Sequence, residues 1–148
     1  QYRDAIIAWM TRWDEMLGDS IEKMPKVLQY FSRANYELHA ITNWSAETFH
    51  FAEKKFDFLQ LFRTITVSGR EKVAKPNPVI FEIFLERNRL KASDCIFIDD
   101  ALRNIESAHL MGFETVHFTY PSTCIRELAE KIGDQGLLQF VEEKVSVP

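Results

Sequence analysis

The sequence predicts an α/β fold, in which a parallel sheet is covered by helices on both faces. Helical and strand patterns alternate along the chain, and two predicted strands, at 38–43 and 95–98, are nearly continuous apolar runs. Strands buried on both faces of a parallel sheet show such runs. Right-handed crossovers then bring the carboxyl ends of all the strands to one edge of the sheet.

The first part of the chain predicts two helices that lead into a strand. Apolar residues recur at helical spacing over 4–17, and Gly18 ends that helix. A second helix starts at Ser20 or Pro25 and is followed by the strand LHAITN at 38–43.

The middle of the chain predicts a helix, a short strand and a second capped helix. Ser45 is in position to cap an aromatic-rich helix, and TITVS at 64–68 is a β-branched strand that Gly69 closes. In KPNP, Asn77 caps the next helix and Pro78 takes its first position.

The last part predicts two more strands and two helices. The strand at 95–98 is followed by a helix over 103–111 that Gly112 stops, and then by a strand at 114–119. The segment IRELAEKIG is a terminal helix, whereas the tail at 137–148 has some apolar residues but no clear period.

Composition narrows the classes of function. The 148 residues carry a net charge of −4 with no basic run, which predicts no nucleic-acid or anionic-membrane partner. No apolar stretch approaches the roughly 20 residues that a membrane span requires. The two cysteines, Cys95 and Cys124, have no metal-binding spacing. We therefore expect a cytoplasmic location.

An acidic pair, Asp99 and Asp100, directly follows the apolar strand at 95–98. Open α/β sheets bind their ligands at the carboxyl ends of their strands. Two carboxylates there require a cation, a basic partner or solvent, and magnesium is the usual cation of such oxygen sites. The pair can equally cap the helix that follows. On these residues alone both interpretations stay open.

Other polar residues are expected at the same edge of the sheet. Thr42 and Asn43 end the strand at 38–43, and Lys75 stands in the loop before the capped helix. Together with Asp99 and Asp100 they provide one hydroxyl, one amide, one ammonium and two carboxylates. This set suits a phosphoryl group and its magnesium ion, because the ammonium and hydroxyl donate to phosphate oxygens while the carboxylates hold the cation.

At these residues the chain resembles the haloacid dehalogenase-like hydrolase superfamily, in the subgroup whose cap domain is inserted early. Three of the four family motifs stand in order: HAITN with Thr42, KPNPVIFEIFLE with Lys75, and FIDDALRNIESAHLMGF with Asp99 and Asp100. The resemblance implies a Rossmann-like core and magnesium as cofactor. It also implies a small phosphorylated substrate.

The resemblance also implies a role for each of these residues. Thr42 would bond the transferring phosphoryl group, with the Asn43 region helping to orient it, and Lys75 would neutralise its charge. Asp100 would bind magnesium directly, and Asp99 would bind it directly or through water. Asn104, in the same motif, is interpreted as a cap or a loop-fixing amide, and none of the four histidines has a motif context.

One family motif is absent. No Asp-x-Asp occurs in the sequence, although the first aspartate of that motif is the family's nucleophile and its strand is the central one. The resemblance divides the chain into the last helix of a cap (1–19), the core (20–136) and a tail (137–148). We therefore expect that the central strand and most of the cap are missing, and that this chain alone is inactive. A missing N-terminal segment, or a self-associated copy, would complete the sheet.

Three functions are compatible with these residues. The leading one is a magnesium-dependent phosphatase in the intact protein. A 2-haloacid dehalogenase would use the same chemistry without metal, but the acidic pair favours phosphate. A non-catalytic binding or regulatory module would have lost the nucleophile. A phosphoacceptor receiver domain is excluded by order, because its acidic pair would precede the Thr and the Lys.

Overall fold

A computed structural model of the chain describes residues 2–143. Helices and strands alternate through most of the described chain. In chain order these are α1 (Tyr2–Thr11), α2 (Met24–Arg33), β1 (His39–Thr42), α3 (Phe49–Lys55), β2 (Thr64–Val67), α4 (Ser68–Glu71), α5 (Pro78–Asn88), β3 (Ile96–Asp99), α6 (Leu102–Leu110), β4 (Glu114–His117), α7 (Pro121–Ile132) and α8 (Gly136–Glu142). Short 3₁₀ turns occur at Trp13–Met16, Asp57–Leu61 and Ala92–Asp94.

The strands form two parallel pairs. β1 pairs with β2, with Thr42 opposite Val67, and β3 pairs with β4, with Asp99 opposite His117. The parallel α/β fold is thus confirmed. Over 2–143, no ladder of backbone hydrogen bonds joins one pair to the other, so the sheet is divided between β1 and β3. This division matches the expectation that a central strand is missing.

Helices cover both faces of the strands. On one face a cluster built around α5 and α6 packs against Ile41 of β1 and Phe97 of β3, so this layer spans both strand pairs. Neighbouring residues of a strand point to opposite faces, and Val116 is the register partner of Ile98, so Val116 lies on the other face. There it packs with buried residues of α2, α7 and α8.

Two local predictions are wrong. Ser45 does not cap α3, which begins at Phe49; its hydroxyl instead donates to the Glu47 carboxylate at 2.8 Å, in the turn before the helix. Gly69 does not close β2, because the strand passes directly into α4 at Ser68 and Gly69 is helical. By contrast, the Asn77 side chain accepts the backbone N–H of Val79 at 3.0 Å, as predicted for a cap.

The helices at the start and the end of the described chain also differ from those that the sequence predicts. The helix predicted over 4–17 ends at Thr11 and is followed by a 3₁₀ turn. The segment treated as a tail is helical over Gly136–Glu142, because Leu137 and Val141, one turn apart, are both buried. Residues 144–148 of that tail lie outside the described residues. None of the helices within 2–143 combines the length and the apolar character needed to cross a membrane.

Candidate active site

Lys75 links the two strand pairs at the carboxyl edge of the sheet. Its Nζ donates to the backbone carbonyl of Ile41 in β1 at 2.6 Å and to Oδ2 of Asp99 at the end of β3, also at 2.6 Å. The side chains of Lys75 and Asp99 are only 10% and 6% exposed. The ion pair is therefore buried, and both strands end against the same ammonium group.

Both carboxylate oxygens of Asp99 are bonded. Oδ2 accepts from Lys75, while Oδ1 accepts from the backbone N–H of Ala101 at 2.9 Å and from Nδ2 of Asn104 at 2.8 Å. Burial by itself would raise the pKa of Asp99. The hydrogen bonds from Lys75, Ala101 and Asn104 outweigh that effect and hold the pKa of Asp99 below its ordinary value. Asp99 is thus a fixed anion.

Asn43 holds the loop that carries Lys75. Its Nδ2 donates to the backbone carbonyl of Lys75, and its Oδ1 accepts the backbone N–H of Lys75, both at 2.8 Å. Both ends of the amide group therefore bond the backbone of one residue, Lys75. The contact that the structure gives Asn43 is with Lys75, and its role toward substrate stays a prediction.

Thr42 and Asp100 present polar groups at the same edge. Thr42 is the half-buried last residue of β1, next to the carbonyl that Lys75 contacts, and its hydroxyl has no hydrogen-bond partner within the described part of the chain. Asp100 is exposed, and its backbone carbonyl accepts the Nε2–H of His117 at 3.0 Å. The Asp100 carboxylate has no ion pair with any described residue.

The oxygen atoms at this edge fit magnesium. Mg²⁺ usually binds to one or two carboxylates, keeps several waters and contacts substrate phosphate. Asp100 supplies an open carboxylate, and the bonded carboxylate of Asp99 stands beside it. Oδ1 of Asn104 is a further buried oxygen without a partner among residues 2–143. The described residues contain no cluster of three or more acidic, histidine or cysteine ligands, so any magnesium here would rely on water and phosphate for its other ligands.

The structure brings together more groups than the sequence indicated. The sequence predicts that Asn104 is a cap or a loop-fixing amide. In the structure its Nδ2 donates to Oδ1 of Asp99. The Ile41 carbonyl, the Ala101 amide and His117 were not predicted. Two of these three are backbone groups, which leave no signal in residue identity. His117 is the register partner of Asp99, and the sequence contains no motif that indicates this pairing.

The chain is similar to characterised proteins over most of its length. The family described as haloacid dehalogenase-like hydrolase matches residues 2–118. An acyl-CoA dehydrogenase family member 10 of Mus musculus is 35% identical over 72 residues, which cover 49% of this chain and 7% of that protein. A sesquiterpene phosphatase of Aspergillus oryzae is 27% identical over 111 residues, which cover 75% of this chain and 57% of that enzyme.

Solved structures have the same fold. One is a haloacid dehalogenase family enzyme of Bacteroides thetaiotaomicron, in complex with magnesium and inorganic phosphate. It matches with a TM-score of 0.67 and 23% identity, over 76% of this chain and 59% of that chain. At this identity the likeness establishes the fold alone. The chain thus spans less than two thirds of the length of each of these three proteins.

Proposed function

The chain belongs to the haloacid dehalogenase-like hydrolase family, and from that premise we propose that the intact protein is a magnesium-dependent phosphatase acting on a small phosphorylated metabolite. The observation that carries the proposal is the buried ion pair between Lys75 and Asp99, with Asp100 exposed beside it. It combines a fixed cation for phosphate oxygens with an open carboxylate for a metal ion at one edge of the sheet.

In this proposal each residue acts on the phosphoryl group from a fixed position. Lys75 neutralises charge on the phosphoryl oxygens, and Thr42 donates its hydroxyl to one of them. Asn43 keeps the Lys75 loop in place, and Asp99 keeps the Lys75 ammonium in its position at the edge of the sheet. Asp100, together with Asp99, would hold magnesium, which supplies Lewis-acid stabilisation of the phosphoryl oxygens.

The covalent step is not assigned to any residue of this chain. The family mechanism uses an aspartate of Asp-x-Asp as nucleophile, and the sequence has none. Lysine, threonine and magnesium stabilise a reaction but do not replace the attacking carboxylate. The second candidate is a non-catalytic module that binds phosphate esters at the same edge.

The name of one relative supports phosphate over a halogenated acid as substrate, while the solved structures of the same fold include a dehalogenase. One relative is named a sesquiterpene phosphatase, and the Bacteroides enzyme was solved with magnesium and phosphate. We further propose that the protein acts in the cytoplasm on a small molecule and that its strands are completed by an N-terminal segment or by a second copy.

The test is hydrolysis of phenyl phosphate by the intact protein, with and without magnesium, alongside calorimetric titration of Mg²⁺. Asp100→Asn is expected to abolish the magnesium-dependent activity and to weaken magnesium binding at least tenfold, because it removes the open anionic ligand. Asp94→Asn, an exposed acid before β3 at the other end of that strand, is the matched control and is expected to behave as wild type.

Each result has a distinct reading. Metal-independent release of halide from 2-chloropropionate, without phosphatase activity, would replace the proposal with the dehalogenase. Magnesium-dependent binding of the non-hydrolysable analogue phenylphosphonate, together with no hydrolysis of phenyl phosphate, would favour the non-catalytic module. Unchanged magnesium dependence in Asp100→Asn would refute the metal assignment.

A further inference from the structure

A cleft of about 290 Å³ opens beside the site, between the loop that follows β1 and the segment formed by α4 and the loop after it. We call it the Lys72 cleft; it is lined by residues 43–45, 68, 69 and 72–74. Asn43 and Ala74 at its border are in direct contact with Lys75 or adjacent to it in the chain. The cleft therefore adjoins the loop that carries Lys75.

The walls of the cleft are fixed to each other. The Gly69 N–H and the Ser68 hydroxyl both donate to the backbone carbonyl of Trp44, at 2.9 and 3.2 Å. A Cβ at position 69 would lie 2.3 Å from the backbone nitrogen of Ala46, so only glycine permits this approach. The Trp44 indole in turn donates to the buried Thr48 hydroxyl at 3.0 Å. These contacts hold the loop after β1 against the start of α4.

The charge of the lining is positive. Lys72 is its one ionisable side chain, and no carboxylate lines it. Neighbouring charged groups are already engaged: Arg70 lies near Glu53, and Glu71 pairs with Arg87 at 2.8 Å. Lys72 is exposed and forms no ion pair with the residues described over 2–143. Its ammonium is therefore available to an anion that enters the cleft.

We propose that the Lys72 cleft binds a second anionic group of the substrate, carried on the leaving alcohol, with Lys72 as its counter-ion. The substrate class is then a phosphate monoester that bears a carboxylate or a second phosphate. The inference rests on the proposed function for the placement of the transferred phosphoryl group at Lys75. It adds that the site prefers esters whose alcohol portion carries an anion over esters whose alcohol portion is uncharged.

The test compares 4-carboxyphenyl phosphate with its neutral counterpart, 4-carbamoylphenyl phosphate, in the intact protein with magnesium. Lys72→Met is expected to lower kcat/KM about tenfold for the carboxylated ester, mainly through KM, and less than twofold for the carbamoyl ester. Met, like Lys, has a Cβ, so the substitution does not change the conformational cost of the left-handed backbone at position 72 (φ 58°). Lys72→Arg is expected to retain the preference.

Lys91→Met is the matched control, because Lys91 is an exposed lysine before β3, toward the opposite end of the strands. It is expected to leave both esters unaffected. If Lys72→Met slows both esters equally, or neither, the second-anion assignment is overturned. The ratio between esters is the readout, so differences in leaving-group reactivity cancel.

A binding experiment separates this inference from the proposed function. Calorimetry with 4-carboxyphenylphosphonate and 4-carbamoylphenylphosphonate needs no turnover. A preference for the carboxylated phosphonate that Lys72→Met removes would support the cleft even in a protein that hydrolyses neither ester. Lys72-dependent binding of inorganic phosphate, with equal binding of both phosphonates, would assign the cleft to a free anion and overturn the substrate reading.

Discussion

The ammonium of Lys75 and the carboxylate of Asp99 form a buried ion pair that connects the two halves of a divided sheet. Lys75 extends from the loop between α4 and α5, donates to the Ile41 carbonyl of β1, and meets Asp99 at the end of β3. The same pair that the proposed chemistry uses also contributes to the structure. Substitutions there are therefore expected to affect stability and activity separately, and the two can be measured apart.

Lys75→Met is expected to reduce hydrolysis of phenyl phosphate at least 100-fold, because the phosphoryl oxygens lose their cation. It is also expected to lower the free energy of unfolding by about 3–5 kcal/mol, since it leaves Asp99 charged and buried without its partner. Activity and urea unfolding are measured on the same preparation.

Adding Asp99→Leu to Lys75→Met separates the two effects. With both charges removed, no unpaired charge is buried and its free-energy cost disappears. Part of the stability is therefore expected to return, whereas the activity is not. A double variant as unstable as Lys75→Met alone would mean that the buried charge is not the source of the loss. A Lys75→Met variant with the wild-type rate would make the lysine a structural residue only.

The pH dependence of stability follows from the lowered pKa of Asp99. A carboxyl whose folded pKa is depressed contributes its full stabilisation above the unfolded value of about 3.9 and loses it as the pH falls through the folded pKa. The difference in unfolding free energy between wild type and Asp99→Asn is therefore expected to be constant above about pH 5 and to narrow below about pH 4. Urea titrations across that range measure it. A difference that widens on acidification would contradict a lowered pKa of Asp99 in the folded protein.

The sequence predicts which residues share an edge of the sheet better than it predicts the contacts between them. Thr42 and Asp99 are expected at one edge because each ends a predicted apolar strand, and Lys75 is expected there because its loop lies at the same edge; the structure brings Lys75 and Asp99 into contact. The Ile41 carbonyl bonds Lys75, and the Ala101 amide bonds Asp99. Both are backbone groups, which every residue type except proline supplies alike, so the sequence does not predict these contacts. The helix at 136–142 was missed for another reason: its two buried positions are too few to define a period, and tertiary packing stabilises it.

Asn43 is expected to act through the position of Lys75. In Asn43→Asp one oxygen still accepts the Lys75 N–H, but the other meets the Lys75 carbonyl and repels it, whereas Asn43→Ala loses both bonds. Both variants are expected to lower kcat about 10-fold or more. Each is also expected to lose about 1–2 kcal/mol of unfolding free energy, because two hydrogen bonds hold this loop. Kinetics at saturating phenyl phosphate and thermal unfolding test this.

If Asn43 contacts the substrate instead, the variants would raise KM with kcat unchanged. Asn77 provides a matched control, because Asn77→Ala removes an amide on the same loop that caps α5. It is expected to cost about 1 kcal/mol without the loss of kcat.

Asn104 is expected to fix the carboxylate of Asp99 and, through it, the direction of the Lys75 ammonium. Its side chain is almost fully buried, with the residue 5% exposed, and its Nδ2 bonds Oδ1 of Asp99. Asn104→Leu has a similar volume but no donor, so it is expected to cost about 1–3 kcal/mol and to lower kcat more than it raises KM. Asn104→Asp brings a like charge against Asp99 and is expected to cost more than Asn104→Leu at neutral pH. The two variants are compared by urea unfolding and by calorimetric titration of magnesium. If Asn104→Asp proves as stable as wild type, the amide of Asn104 is not a required donor to Asp99.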